Sequence, residues 1–475
     1  MKTAVKTIIL ILLSLLMLAA CGTQESEVFD LDLSIQSDKT DLEGVTIKYL
    51  RETGGQGIHY AGSEQVLGYE IGTVLGDLAM QRLKDVEKNL NCKFDIKYFS
   101  DTGSSYADYN NFRMNNAVGE YYCDIFCGVS DRFREDMKMG ALMGLSELED
   151  FIDFRNEDKW GRRNILEVLY WEDDIYGLIP MSWPASSVSY QGLTVVNEDL
   201  ITSVNAVDPR DLFENGQWTW QTFRDSLEQY YVQEGSEVKQ YAVTFQYSGD
   251  IGMVYMLSNG FRLAEKGPDG NYRSGLRSPQ AMTAMTEALD IMNGPLSYTI
   301  SINESHIDAL NNGRTVFGVL HMAEYLENIV KVMTNFGIVA WPSGPDVDPG
   351  FIATSHFNLE RAIVLSRFSP NIEAAAIALN ALYEPFEEYP TTESIREFLY
   401  HTYFFDRRDA DMYYDLFLNS QYSYFGTATW NTMFEWLDFN GSPAEYIESR
   451  LETVEEHISK EVAPSKRGVD SVWGE

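Results

Sequence analysis

The sequence predicts an α/β protein, and three observations carry that reading. Short apolar runs rich in β-branched and aromatic residues alternate with longer segments of helical period, the pattern of a parallel sheet with helices on its faces. The 475 residues amount to about three ordinary domains, or two large lobes, at ~150 residues per domain. With 44% hydrophobic and 23% charged residues, the composition excludes a disordered or collagen-like chain.

The N-terminus reads as an export signal. Residues 1–24 are MKTAVKTIILILLSLLMLAACGTQ: Lys2 and Lys6 give a basic start, and residues 8–18 are almost wholly apolar. The apolar run to Ala20 is ~20 Å long as a helix, too short for a ~30 Å hydrocarbon core, so cleavage is expected. Residues 18–21 (LAAC) resemble the bacterial lipobox. That resemblance implies a signal peptide over 1–20, cleavage before Cys21 and lipid on its thiol, with several acyl chains contributing ~0.8 kcal/mol per buried methylene. Residues 21–43 are polar and acidic without sustained periodicity and read as a flexible tether. The location implied is the outer face of the bacterial cytoplasmic membrane.

Along the remainder, VTIKYL (45–50) reads as the first strand, followed by a glycine-rich loop. Leu78, Leu83, Val86 and Leu90 mark an amphipathic helix, and strands follow at 93–99 and 124–127. Ligands of such sheets sit outside the carboxyl ends of the strands, which directs attention to the loops after Leu50 and Gly128. A second unit begins past Pro180 and Pro184. It has strands at 192–196, 241–245, 315–320 and 336–340, a helix at 220–230, and a helix at 278–292 opened by Ser278-Pro279, an N-cap with proline at the first helical position. Ser369-Pro370 repeats that opening before an alanine-rich helix to Leu382, and residues 443–462 form a charged amphipathic terminal helix.

Acidic residues outnumber basic ones 72 to 36, for a formal charge of −36. Such a surface repels phosphate backbones over roughly a Debye length, so nucleic acid is not an expected partner. Three cysteines remain after Cys21, an odd number that cannot all pair internally. Cys123 and Cys127, read as one strand face, stand about 13 Å apart and cannot bond to each other. No histidine is near them in sequence, so no metal is expected there and they read as buried small hydrophobes.

Catalytic motifs are missing. There is no GxSxG elbow, the six histidines form no HExxH or HxH grouping, and Gly54-Gly55-Gln56-Gly57 lacks both the GxGxxG fingerprint and a P-loop lysine. The sequence reading is a protein that is not an enzyme and carries no cofactor.

Several segments taken together resemble the family 1 extracellular solute-binding proteins of ABC sugar importers, the maltose-binding type. They are Asp124-Ile125-Phe126 with Ser130-Asp131-Arg132-Phe133, the run from Ile175 to Pro180, and Val196-Asn197-Glu198-Asp199-Leu200. Further along come Trp218-Thr219-Trp220 to Phe223, Asn259-Gly260, Gly313-Arg314-Thr315-Val316-Phe317, the run from Phe336 to Pro345, and Ser369 to Ala375. The resemblance implies a two-lobe periplasmic-binding-protein-like fold with an interlobe ligand cleft and hinge crossings. The lobes expected are 44–180 plus 360–402 and 181–352 plus 405–475. It also implies a monomer that takes up a small solute, most simply a sugar, and hands it to the transmembrane subunits of an ABC permease. A surface receptor of the same form for a peptide or other polar solute, and a secreted glycoside-acting enzyme, are the alternatives.

A sugar offers apolar ring faces and a hydroxyl edge, which call for aromatic stacking and charge-assisted hydrogen bonds. On that basis Asp131 and Arg132, which align with a sugar-contacting pair of the family, are assigned to hydroxyl recognition, and Trp430 matches a stacking tryptophan. Tyr190 and Tyr247 stand where the family commonly carries carboxylates, and Asp250 could restore one. Trp183 faces either the cleft or the hinge. His321 lies in a loop where a stacking ring is usual, as a polar contact or an ordinary hydrogen-bonded residue.

Overall fold

A computed structural model describes residues 40–53, 64–100, 106–184, 190–245, 248–299, 306–321, 323, 326–356, 361–422, 441–467 and 472–473. The chain divides into residues 1–40 and 41–475, and the second unit is described here. The export signal, Cys21 and most of the 21–43 segment lie outside the described residues. Its last residues are already fixed: Leu42 N–H donates to Leu90 O at 2.8 Å, and Asn91 Nδ2 donates to Asp41 Oδ1 at 2.6 Å. Among the described residues no helix is long and apolar enough to cross a membrane.

The first sheet is built around Val45–Thr53, which runs three residues past the expected end. The order across the sheet is Arg361–Leu365, Ile125–Val129, Val45–Thr53, Cys92–Ser100. Tyr49 pairs with Ile96 on one side and Ile125 on the other, both parallel. Ile47, Tyr49 and Leu50 are fully buried, as a strand covered on both faces requires. The expected helix is Val74–Asn89, with Thr73 capping Gly76 N–H. Cys123 precedes the third strand rather than sharing it with Cys127, and all three described cysteines are buried and unpaired.

Ser369-Pro370 does not open a helix in the way Ser278-Pro279 does. Ser278 Oγ accepts Ala281 N–H at the start of Pro279–Asn293. Ser369 Oγ accepts Asn371 N–H at 3.0 Å and donates to the fully buried Asp124 Oδ1 at 2.6 Å, and the helix begins two residues after Pro370, at Ile372–Leu382. Asp124 also accepts Lys48 N–H at 2.7 Å and Tyr121 O–H at 3.0 Å. A buried carboxylate has to be hydrogen-bonded, and Ser369 supplies one of the bonds that Asp124 needs.

The second sheet is mixed rather than parallel. Its order is Val232–Glu234, Glu237–Phe245, Thr315–Leu320, Leu193–Asn197, Phe336–Val339, with Ser297–Thr299 also pairing Glu237–Phe245. Leu193–Asn197 is antiparallel to both neighbours. The reason is the route of the chain: strands fed from within a lobe run toward one edge, whereas a strand entering from a crossing starts at that edge. Arg361–Leu365 obeys the same logic, antiparallel to Ile125–Val129. A further small sheet joins Ser420–Tyr422, Thr354–His356 and Tyr190–Gln191.

Two further contacts tie distant segments. Arg210 Nη1 meets both carboxylate oxygens of buried Asp409 at 3.0 Å, and Asp409 Oδ1 also accepts Ile338 N–H at 2.7 Å, fixing the Arg407–Leu418 helix to the second sheet. The terminal helix Pro443–His457 continues through a wide π turn, Ile458–Val462, just before Pro464, whose ring cannot follow a regular α turn. Pro464 O then accepts Glu172 N–H at 3.0 Å, Val472 O accepts Arg155 Nε at 2.8 Å, and Trp473 packs on Phe154. The chain end therefore touches residues 154–172 as well as the Tyr272–Ser274 strand and the Pro279–Asn293 helix.

Candidate ligand-binding site

Two polar clusters stand at the strand edges where the crossings enter. The first gathers on Glu52, one residue before the end of the central strand. Its carboxylate is buried and accepts Val129 N–H at 3.0 Å. Arg132 Nη1 lies 3.8 Å and Arg361 Nη2 3.6 Å from Glu52 Oε1. Two guanidiniums thus share one carboxylate. Arg132 is aimed by its surroundings: its guanidinium lies over the Tyr109 ring at 5.8 Å, and its carbonyl accepts from Tyr109 O–H and from Arg113 Nη2. Beneath it Phe99, Phe112, Phe126 and Phe133 form an aromatic floor. Gly128 permits the approach, since a Cβ there would stand 2.9 Å from the Phe126 ring and 3.3 Å from Glu52 Oε2.

The second cluster gathers on His321, the residue after Thr315–Leu320. His321 Nδ1 is 2.7 Å from Asp250 Oδ1, in the first turn of the Ser248–Ser258 helix. Gln191 Nε2 is 3.2 Å from His321 Nε2. An imidazole that donates from Nδ1 to the carboxylate leaves Nε2 to accept from the amide, so the three groups satisfy one another. Asp250 is almost fully enclosed, while the His321 side chain keeps 22% of its surface exposed. Gly192, at φ +85°, sits where a Cβ would be 2.8 Å from Val254, so only glycine lets the crossing strand lie against this helix.

The remaining sequence-derived candidates fall differently. Asp131 lies in the Ser130–Phe133 turn, but its side chain, together with Tyr247 and Trp430, lies outside the described residues. Tyr190 is fully buried, its ring 5.6 Å from Tyr413 and its hydroxyl without a hydrogen-bond partner. The pleat turns it inward and its neighbour Gln191 toward His321. Trp183 is buried. It stacks on Phe386 at 4.4 Å and donates from Nε1 to Glu384 O at 2.9 Å. Glu52, Arg361 and Gln191 were not singled out from the sequence, although the first lies in the loop region that was.

No protein-family model and no curated protein matches the sequence. Solved structures do match. The sugar-binding protein MalE of Xanthomonas citri aligns at TM-score 0.62 and 12% identity, covering 87% of this chain and 98% of its own. A cyclo/maltodextrin-binding protein complexed with maltotetraose aligns at 0.59 and 13%, covering 90% and 99%. The chain has the two-lobe fold of the ABC substrate-binding proteins. A third such protein, from Listeria monocytogenes in complex with cycloalternan, aligns at 0.55 and 14%, covering 88% of this chain and all of that one. In the substrate-binding fold the two clusters stand at the carboxyl edges of parallel-running strands, the edge where open α/β sheets take their ligands.

Proposed function

We propose that this chain is an extracytoplasmic solute-binding protein of an ABC importer, anchored by lipid on Cys21. It captures a carbohydrate between two lobes, 44–180 plus 360–402 and 181–352 plus 405–475, and delivers it to the permease without chemical change. The observation that carries the reading is the pair of clusters at the strand edges, Glu52–Arg132–Arg361 and Asp250–His321–Gln191. Each combines charged and amide groups, and guanidinium or carboxylate hydrogen bonds to hydroxyls are roughly twice as strong as neutral ones. Asp131, Tyr247 and Trp430 belong to the same proposed site, the tryptophan supplying the stacking face.

A thermal-unfolding screen of mono- and oligosaccharides tests this. A ligand at 100 times its Kd adds ~2.7 kcal/mol of stability. Arg132→Ala should weaken the best sugar by about tenfold or more, the loss of a charge-assisted bond. Stabilisation by peptides alone, or cleavage of the sugar during the assay, would contradict the proposal.

A further inference from the structure

Apart from both clusters, a recess of about 470 Å³ opens where five stretches of chain meet: residues 162–167, 262–264, 351–352, 418–421 and the tail at Lys466. That volume lies within the ~300–1,000 Å³ range of small-molecule sites. Its electrostatics run against the rest of the chain. With two acidic residues for each basic one, an exposed arginine here ordinarily meets a carboxylate, as Arg155 meets Glu149, Arg273 meets Asp269 and Arg367 meets Glu147. Arg162 and Arg262 line the recess, are exposed, and have neither a hydrogen bond nor an ion pair from their side chains among the described residues. Glu167, the carboxylate among the lining residues, is already held by Lys466 Nζ at 2.8 Å. The lining also offers amides. Asn164 is oriented by donating to Leu418 O at 3.2 Å and Ser420 O at 3.0 Å, and the Gln421 side chain has no hydrogen-bond partner among the described residues.

We propose that this recess binds a small multiply charged oxyanion, with Arg162 and Arg262 as its charge partners and Gln421 as a neutral donor. Guanidinium forks suit the planar or tetrahedral oxygens of carboxylate and phosphate, and two unneutralised forks on one recess match a ligand carrying two or more negative charges. The site stands independently of the sugar reading, because none of its residues belongs to either cluster. It draws on the 162–167 segment, residues 262–264 and 351–352, the Ser420–Tyr422 strand and the tail at once, so an anion held there bridges segments far apart in the sequence.

The test titrates the full chain with inorganic phosphate and, separately, with citrate, each balanced with sodium chloride to constant ionic strength, and follows binding by calorimetry. At least one of the two should bind saturably. The double variant Arg162→Gln/Arg262→Gln should lose about tenfold or more in affinity while keeping the parental circular dichroism spectrum and sugar response. Binding of phosphate alone assigns a phosphate ligand, and binding of citrate alone a polycarboxylate. No saturable signal from either anion up to 20 mM, or affinity in the double variant within twofold of the parent, overturns the proposal.

Discussion

Arg132 and His321 owe their places to neighbours that a linear reading sees unequally. Both lie just past the end of a strand, His321 by one residue and Arg132 by three, so the rule that ligand groups cluster at carboxyl edges picks them out. Glu52 and Arg361, which hold Arg132, escape it because polar residues at 51–53 read as loop. They are strand because Cys92–Ser100 pairs alongside as far as Thr53. Gln191 escapes because its neighbour Tyr190 carries the aromatic argument, and only the pleat decides which of the two faces His321. The cysteines, by contrast, are legible as buried hydrophobes, and their chemistry follows. Burial pushes the Cys92 thiol up to about 11 and raises Cys123 and Cys127 as well, in the last case against the pull of Arg51 and Arg361. Because the thiolate is the reactive form, a Cys21→Ser chain at pH 8 should leave all three unlabelled by iodoacetamide when folded and label all three in urea. Native-state labelling at the urea rate would contradict this burial.

At the scale of elements, what was legible is what local chemistry decides. The Trp220–Tyr230 and Pro279–Asn293 helices begin where Thr219 and Ser278 cap them. The short strands Tyr190–Gln191, Thr354–His356 and Ser420–Tyr422 are two or three residues long and carry no period to read; they exist because segments far apart in the sequence lie side by side. The Ser369-Pro370 opening misleads because the serine's hydroxyl serves Asn371 N–H and Asp124, the latter 245 residues away, and the helix starts only at Ile372. The contrast is measurable. Ser278→Ala should cost ~1 kcal/mol, the ordinary loss of a cap. Ser369→Ala should cost ~1.5–3 kcal/mol, because it removes a hydrogen bond to a buried carboxylate. Equal losses in urea unfolding would show that Asp124 does not depend on Ser369.

For the molecule as a whole, the alternation of strand-like and helix-like segments was enough to give the α/β class and the resemblance its two-lobe form, while the antiparallel entry strands and the tail's contact with residues 154–172 depend on how the chain passes between sheets. The excess of acid over base says little about the fold, but it makes each exposed arginine without a partner conspicuous. The account rests on a sugar held by both clusters at once. The direct measurement is a crystal structure of the full chain with the carbohydrate that stabilises it most. The prediction is that ligand hydroxyls lie within hydrogen-bond distance of Arg132 or Glu52 and, in the same molecule, of His321 or Asp250. A sugar bound on one cluster only, or elsewhere on the surface, would contradict it.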